Sequence, residues 1–195
     1  YLNIENKQLG FVSFGDIENT FGYSNGSTWS LGDSGVVVLE FSDYISDNEG
    51  FDFAVFENSF SETFLELAFV EVSSDGINFF RFPSTSLTDS SSNVGTFGNL
   101  EATNLNNLAG KYSAGYGTPF DLAELPDTSL LNKQAIQYVK IIDVIGTNSV
   151  YGSFDSNGNK IIDPFPTPFN SGGFDLEAVA VLGSGTSMND LVLNN

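Results

Sequence analysis

The chain has 195 residues and a mass of 21.0 kDa, enough for one domain with a core of its own and no need of covalent staples. Its 25 Asp and Glu against 6 Lys and Arg give a formal charge of −19, which removes the basic surface that nucleic acid or an anionic membrane would require. The absence of His and Cys excludes a thiol nucleophile, a Ser-His-Asp relay, an imidazole acid and an ordinary zinc site, whereas the excess of carboxylates suits a hard cation such as calcium.

Nineteen Phe and 20 Gly against one Met favour strands joined by tight turns over helices. Residues 36–41 read as a strand opened by the turn at 31–35, and residues 51–58 as the next. Residues 64–73 are apolar on both alternating faces, as in a central strand. Ser74-Asp75-Gly76 supplies positive-φ turn chemistry for a hairpin into 78–82, which Pro83 ends. From 84 to 126 the chain is rich in Ser, Asn, Gly and Thr without periodicity, a long excursion of the kind that carries function. Only 121–125 and 129–134 read as helical turns. Residues 135–145 and 174–182 are the last strands, separated by a Gly, Asn and Pro-rich loop at 146–173.

These elements predict an all-β fold, an antiparallel β-sandwich of jelly-roll type with long functional loops, occupying residues 1–182. Residues 183–195 have linker composition and read as a tail. The longest apolar runs, about six residues, are too short to cross a bilayer, so no membrane insertion is expected. The chain opens in the middle of a pattern at Tyr1, as expected of a mature or trimmed product.

Two acidic sets are candidate metal ligands. In the loop 155–163, Asp155, Asn157, Asn159 and Asp163 offer oxygens at a spacing that lets a tight turn direct them at one ion. The loop departs from the EF-hand pattern, because Lys160 stands where the turn glycine belongs and Pro166 where the bidentate Glu belongs; a solvated Asn/Gly turn is the plainer reading. The second set is Asp52 and Glu57, with Asn58, at the ends of an apolar strand, together with Asp175 and Glu177, which alternate with Phe174, Leu176 and Ala178. Here the plainer reading is a wet outer face. Asp143, inside an apolar strand, must find a partner or stay protonated.

Loop aromatics and amides form a candidate ligand surface: Trp29 and Asn25, with Tyr112, Tyr116 and Tyr151, and beside them Tyr23, Phe120 and Phe154. Rings and amides suit flat, hydroxyl-bearing ligands, and satellite packing under loops is the alternative. Arg81, the lone arginine, is either an anchor for an anion or half of a strand ion pair. Paired carboxylates keep a glycan-cleaving enzyme open.

The stretches 51–58 and 67–79, with 108–111, 115–122, 139–143, 163–169 and 171–176, resemble the exported cell surface proteins of Bacteroidetes and some other bacteria that carry a carboxy-terminal sorting signal. The likeness covers about residues 30 to 182. The hairpin at 71–76 and the acidic last strand are also similar to discoidin-like and carbohydrate-binding jelly rolls, and residues 187–195 look like the lead-in to a type IX secretion sorting domain. The resemblance implies a secreted or outer-surface location, calcium near a sandwich edge, and glycan or another surface ligand and the type IX secretion machinery as partners. The expected function is a non-catalytic, calcium-stabilised, glycan-binding or adhesive module. The alternatives are a carboxylate-dependent glycan-cleaving enzyme, or a nutrient-capture accessory that hands a cobalamin-like molecule to an outer-membrane transporter.

Overall fold

Alternation decides where each strand sits. In β2 (Val36–Ile45), Val37 and Leu39 turn inward while Val36 and Val38 stay exposed, the pattern of a strand with one wet face. The strands β3 (Phe53–Glu57) and β4 (Ala68–Ser73) are buried at every position, as the doubly apolar sequence predicts. With β1 (Trp29–Ser30), β5 (Phe80–Arg81), β6 (Thr85–Ser86), β7 (Leu105–Asn106), β8 (Thr118–Phe120), β9 (Ile136–Asp143) and β10 (Asp175–Val181), they make up the fold. The computed structural model describes residues 1–183; the expected tail and sorting lead-in lie outside the described residues.

Two four-stranded antiparallel sheets face each other, ordered β1-β10-β3-β8 and β2-β9-β4-β5. Apart from the β4–β5 hairpin and the small β6–β7 ribbon inserted after it, successive strands alternate between the sheets. That winding is a jelly roll. The core between the sheets is dominated by Phe53, Phe82 and Phe120, whose ring centroids lie 4.9 to 5.8 Å apart, so Phe120 belongs to the core and not to the ligand surface. Of the expected helical turns, 121–125 contains a single 3₁₀ turn at Leu122–Glu124, capped by Asp121, and 129–134 holds two isolated turns, at 129–130 and 133–134, and no helix.

The long loops are structural walls as well as loops. Leu100, Leu105, Leu108 and Ile161 come from the two excursions and pack with Leu65, Leu67 and Phe69 into a second apolar cluster. This explains why β4 is buried on both faces. The hairpin expected at Ser74-Asp75-Gly76 forms as predicted, with Gly76 at φ +73° and Glu71 opposite Arg81. Arg81 is the structural ion pair: its guanidinium donates to Glu71 Oε1 at 2.8 and 3.0 Å and lies 4.2 Å over the Phe69 ring, while Lys140 holds Glu71 Oε2 at 2.7 Å.

Candidate functional site

Antiparallel pairing brings the end of β3 and the start of β10 to one rim of the sandwich, with Glu57 opposite Leu176. Asp52 sits at the other end of β3, five residues and about 17 Å of strand away, so it does not join Glu57, Asp175 and Glu177. The expected wet face is also absent: Glu57, Asp175 and Glu177 are all buried, because residues 24–30 cross over β10. Glu177 Oε1 accepts from Ser24 Oγ and Gly26 N, and Asp175 Oδ1 accepts from Ser30 Oγ.

Between β3 and β4 the chain returns through residues 58–67 and brings a carboxylate that sequence reasoning missed. Glu66 is 7% exposed. Its backbone is gripped by Gly110, where φ is +82° and a Cβ would lie 1.9 Å from the Glu66 carbonyl oxygen; only glycine allows that approach. Glu57, Glu66 and Asp175 line a cavity of about 270 Å³. Phe60, Phe64, Phe97 and Phe169 wall it, in a chain of rings with centroid separations of 4.5, 6.1 and 5.9 Å. Three of the four are substantially exposed. The lining contains no Lys or Arg.

Electrostatics follow from that imbalance. Ser59 N donates to Glu57 Oε2 at 2.9 Å, yet burial, and then the charges of Asp175 and Glu177, push the Glu57 carboxyl well above its usual range. Burial moves Asp175 up to about 6 against the Ser30 hydrogen bond. Glu66 is raised by burial and then by Glu57, Asp175, Asp163 and Asp143. No side-chain hydrogen bond or ion pair relieves it among the described residues.

The aspartates of the loop 155–163 accept hydrogen bonds from the loop itself and from neighbouring segments. Asp155 Oδ1 accepts from Asn157 N and Asn159 N, and its Oδ2 accepts from Ser86 N and Asn159 Nδ2. Burial opposes the Asp155 charge, and these four bonds outweigh it and hold the carboxyl low. Asp163 turns away into the interior, where Leu67 N donates to it at 2.9 Å, so the two aspartates serve different elements. Asn157 Nδ2 donates to Thr85 Oγ1.

Among the described residues, one acidic triad has carboxylate oxygens within 4.8 Å of one another: Asp47, Asp52 and Asp121. It lies on the rim opposite the phenylalanine cavity and could hold a metal ion. Asp52 accepts from Asn48 N and Leu122 N, each at 2.8 Å. Burial first, and the charges of Asp47 and Asp121, raise its carboxyl. Asp47 and Asp121 carried no sequence signal because they stand on connectors that meet only when the sandwich closes.

The aromatic candidates are dispersed. Tyr112 and Tyr116 share a groove with Lys111 and Glu62. Trp29 is half-buried against the main core, Asn25 caps the turn at Ser27, and Tyr151 stands exposed on the 146–173 loop. Searches against protein-family models, curated proteins and solved structures find no match to this chain. The fold and site thus define an all-β jelly roll with an acidic, phenylalanine-walled cavity at one rim and a carboxylate triad at the other. No helix among the described residues is long and apolar enough to cross a membrane.

Proposed function

We propose that the chain is a non-catalytic binding module of an exported or surface protein and that its ligand, a glycan, enters the phenylalanine-walled cavity. The observation that carries this reading is the combination of exposed rings around the mouth with hydrogen-bonding groups inside, among them Asn58 and Ser171 beside the carboxylates. Rings cover the apolar face of a sugar while oxygens and amides take its edge. At about 270 Å³ the cavity is at the lower limit for a small-molecule site and fits one sugar ring, which favours capture of a chain end over cleavage within a chain. The resemblance to sorted surface proteins supports the exported location and type IX secretion as the route.

A glycan array probed with the wild type and Phe97→Ala tests this. We expect wild-type binding to a defined set of glycans and at least a tenfold weakening in Phe97→Ala, with thermal stability nearly unchanged because that ring is 69% exposed. Wild-type binding that survives Phe97→Ala at full strength contradicts the assignment of the cavity.

Calcium belongs to the same proposal, at Asp47, Asp52 and Asp121, where an ion would relieve three mutually repelling carboxylates. Millimolar calcium is expected to raise Tm relative to EDTA-treated protein, and Asp121→Asn to remove most of that rise. Equal Tm with calcium and with EDTA contradicts it.

A further inference from the structure

Glu66 presents a problem that the fold does not solve. Strand ends and loops supply backbone N–H donors to nearly every other buried carboxylate: Asp33 takes Ile4 N, Asp143 takes Ser34 N and Phe174 N, Asp163 takes Leu67 N and Glu57 takes Ser59 N. Glu66, 7% exposed against 2–4% for these, opens onto the cavity and accepts no hydrogen bond from any described residue. A nearly buried carboxylate that turns its free oxygens into a cavity has its hydrogen-bonding capacity left over for whatever enters there.

The surroundings say what kind of group that is. Glu57 and Asp175 face the same space, no basic side chain lines it, and four phenylalanine rings present their faces or edges around it. Carboxylates and aromatic faces both attract cations. A bare metal ion fits poorly, because the oxygens of these three carboxylates do not converge within 4.8 Å as those of Asp47, Asp52 and Asp121 do, and the cavity far exceeds the volume of an ion. A quaternary ammonium would satisfy the rings but has no N–H to offer Glu66. A primary ammonium offers three donors and a compact positive charge.

Building on the reading of this cavity as the ligand site, we infer that it takes a primary ammonium group on a small body with an apolar face, an amino sugar within the glycan reading. The ammonium donates to Glu66 and to one or both of Glu57 and Asp175, while Phe97 and Phe60 cover the body. A neutral sugar would offer these three carboxyl groups no positive charge. The expected ligand is therefore a glycan end carrying a free amine and not its acetylated form.

Calorimetric titration of the purified chain with glucosamine, N-acetylglucosamine, n-butylamine and tetramethylammonium, repeated on Glu66→Gln and Phe97→Ala, tests this. Glucosamine is expected to bind at least tenfold more tightly than N-acetylglucosamine, and n-butylamine more tightly than tetramethylammonium. Glu66→Gln is expected to erase both preferences while Tm stays at or above the wild-type value, since the variant removes an unpaired buried acid. If butylamine matches glucosamine, the amine alone is recognised; if glucosamine is tighter, the sugar body contributes; either result supports the inference. Equal binding of glucosamine and N-acetylglucosamine that needs Phe97 but not Glu66 overturns the ammonium assignment and leaves the glycan-binding module standing. No binding of either amine, with or without calcium, overturns the inference outright.

Discussion

Replacing Asp143 by alanine is expected to destabilise the protein by about 2–5 kcal/mol, read as a fall in Tm of roughly 10 °C at pH 5. Its carboxylate is fully enclosed and accepts from Ser34 N at 2.9 Å and Phe174 N at 2.8 Å. These bonds tie the turn before β2 to the entry of β10, and so fasten one sheet to the other. Without the acceptor both N–H groups lose their partner. The loss depends on pH. Burial raises the carboxyls of Asp143 and Asp163 well above the ordinary range and that of Asp33 to about 6. From about pH 4 upward the native state then holds more protons than the unfolded chain, so the stability these groups contribute falls as pH rises through their native values. Wild-type Tm is expected to fall from pH 5 to pH 8, and the deficit of Asp143→Ala to narrow over that range, because at high pH the variant escapes the cost of a buried charge. Asp143→Asn, which keeps one acceptor, should lose less and show a shallower pH slope. Thermal melts at pH 5, 6.5 and 8 check all three; a wild-type Tm that rises steadily from pH 5 to pH 8 contradicts the account.

Phe120→Ala carries the second large effect, a loss of about 3–5 kcal/mol. The ring is fully buried at the end of β8, with its centroid 5.3 Å from Phe53 and 4.9 Å from Phe82. Its partners are fixed by the sandwich from both sheets, Phe53 on β3 and Phe82 just beyond β5, so the space cannot close by moving one loop. Chemical denaturation gives the value directly, and a loss below about 1 kcal/mol would mean that the three rings do not form the centre of the core.

The strand pattern was legible because its physics is local. Alternation in β2, the doubly apolar run of β4 and the Asp-Gly turn before β5 each depend on a few consecutive residues, and each appears in the structure close to where it was expected. The sequence predicts strand from residue 64, whereas β4 begins at Ala68, and Leu65 and Leu67 pack into the second apolar cluster under the long excursions. Asp143 announced itself as a carboxylate in an apolar strand. Glu66 has a similar signature, one acid between Leu65 and Leu67, which the apolar pattern over 64–73 hides.

What lay beyond the sequence depends on closure of the fold. Asp47 meets Asp121 across 74 positions, and Phe60 and Phe64 join Phe97 and Phe169 only because Leu100 N reaches Thr63 O at 2.7 Å and Phe165 N reaches Gly95 O at 3.3 Å. Nothing in a Ser-rich loop distinguishes an exposed ring that walls a cavity from one that merely covers core. Glu57 and Asp175 stand out in the sequence as acids at strand ends, but their companions could not be named: the spacing suggested Asp52 and Glu177, whereas Glu57 and Asp175 line one cavity with Glu66.

The central claim is that ligand enters the cavity of Glu57, Glu66 and Asp175. It is tested most directly by titrating isotopically labelled protein with glucosamine and following backbone amide shifts. Saturable shifts are expected at residues 57–66, 95–98 and 167–175, with saturation moved to at least tenfold higher glucosamine in Glu66→Gln. Shifts confined to the Tyr112 and Tyr116 groove, or to the rim of Asp47, Asp52 and Asp121, would contradict it.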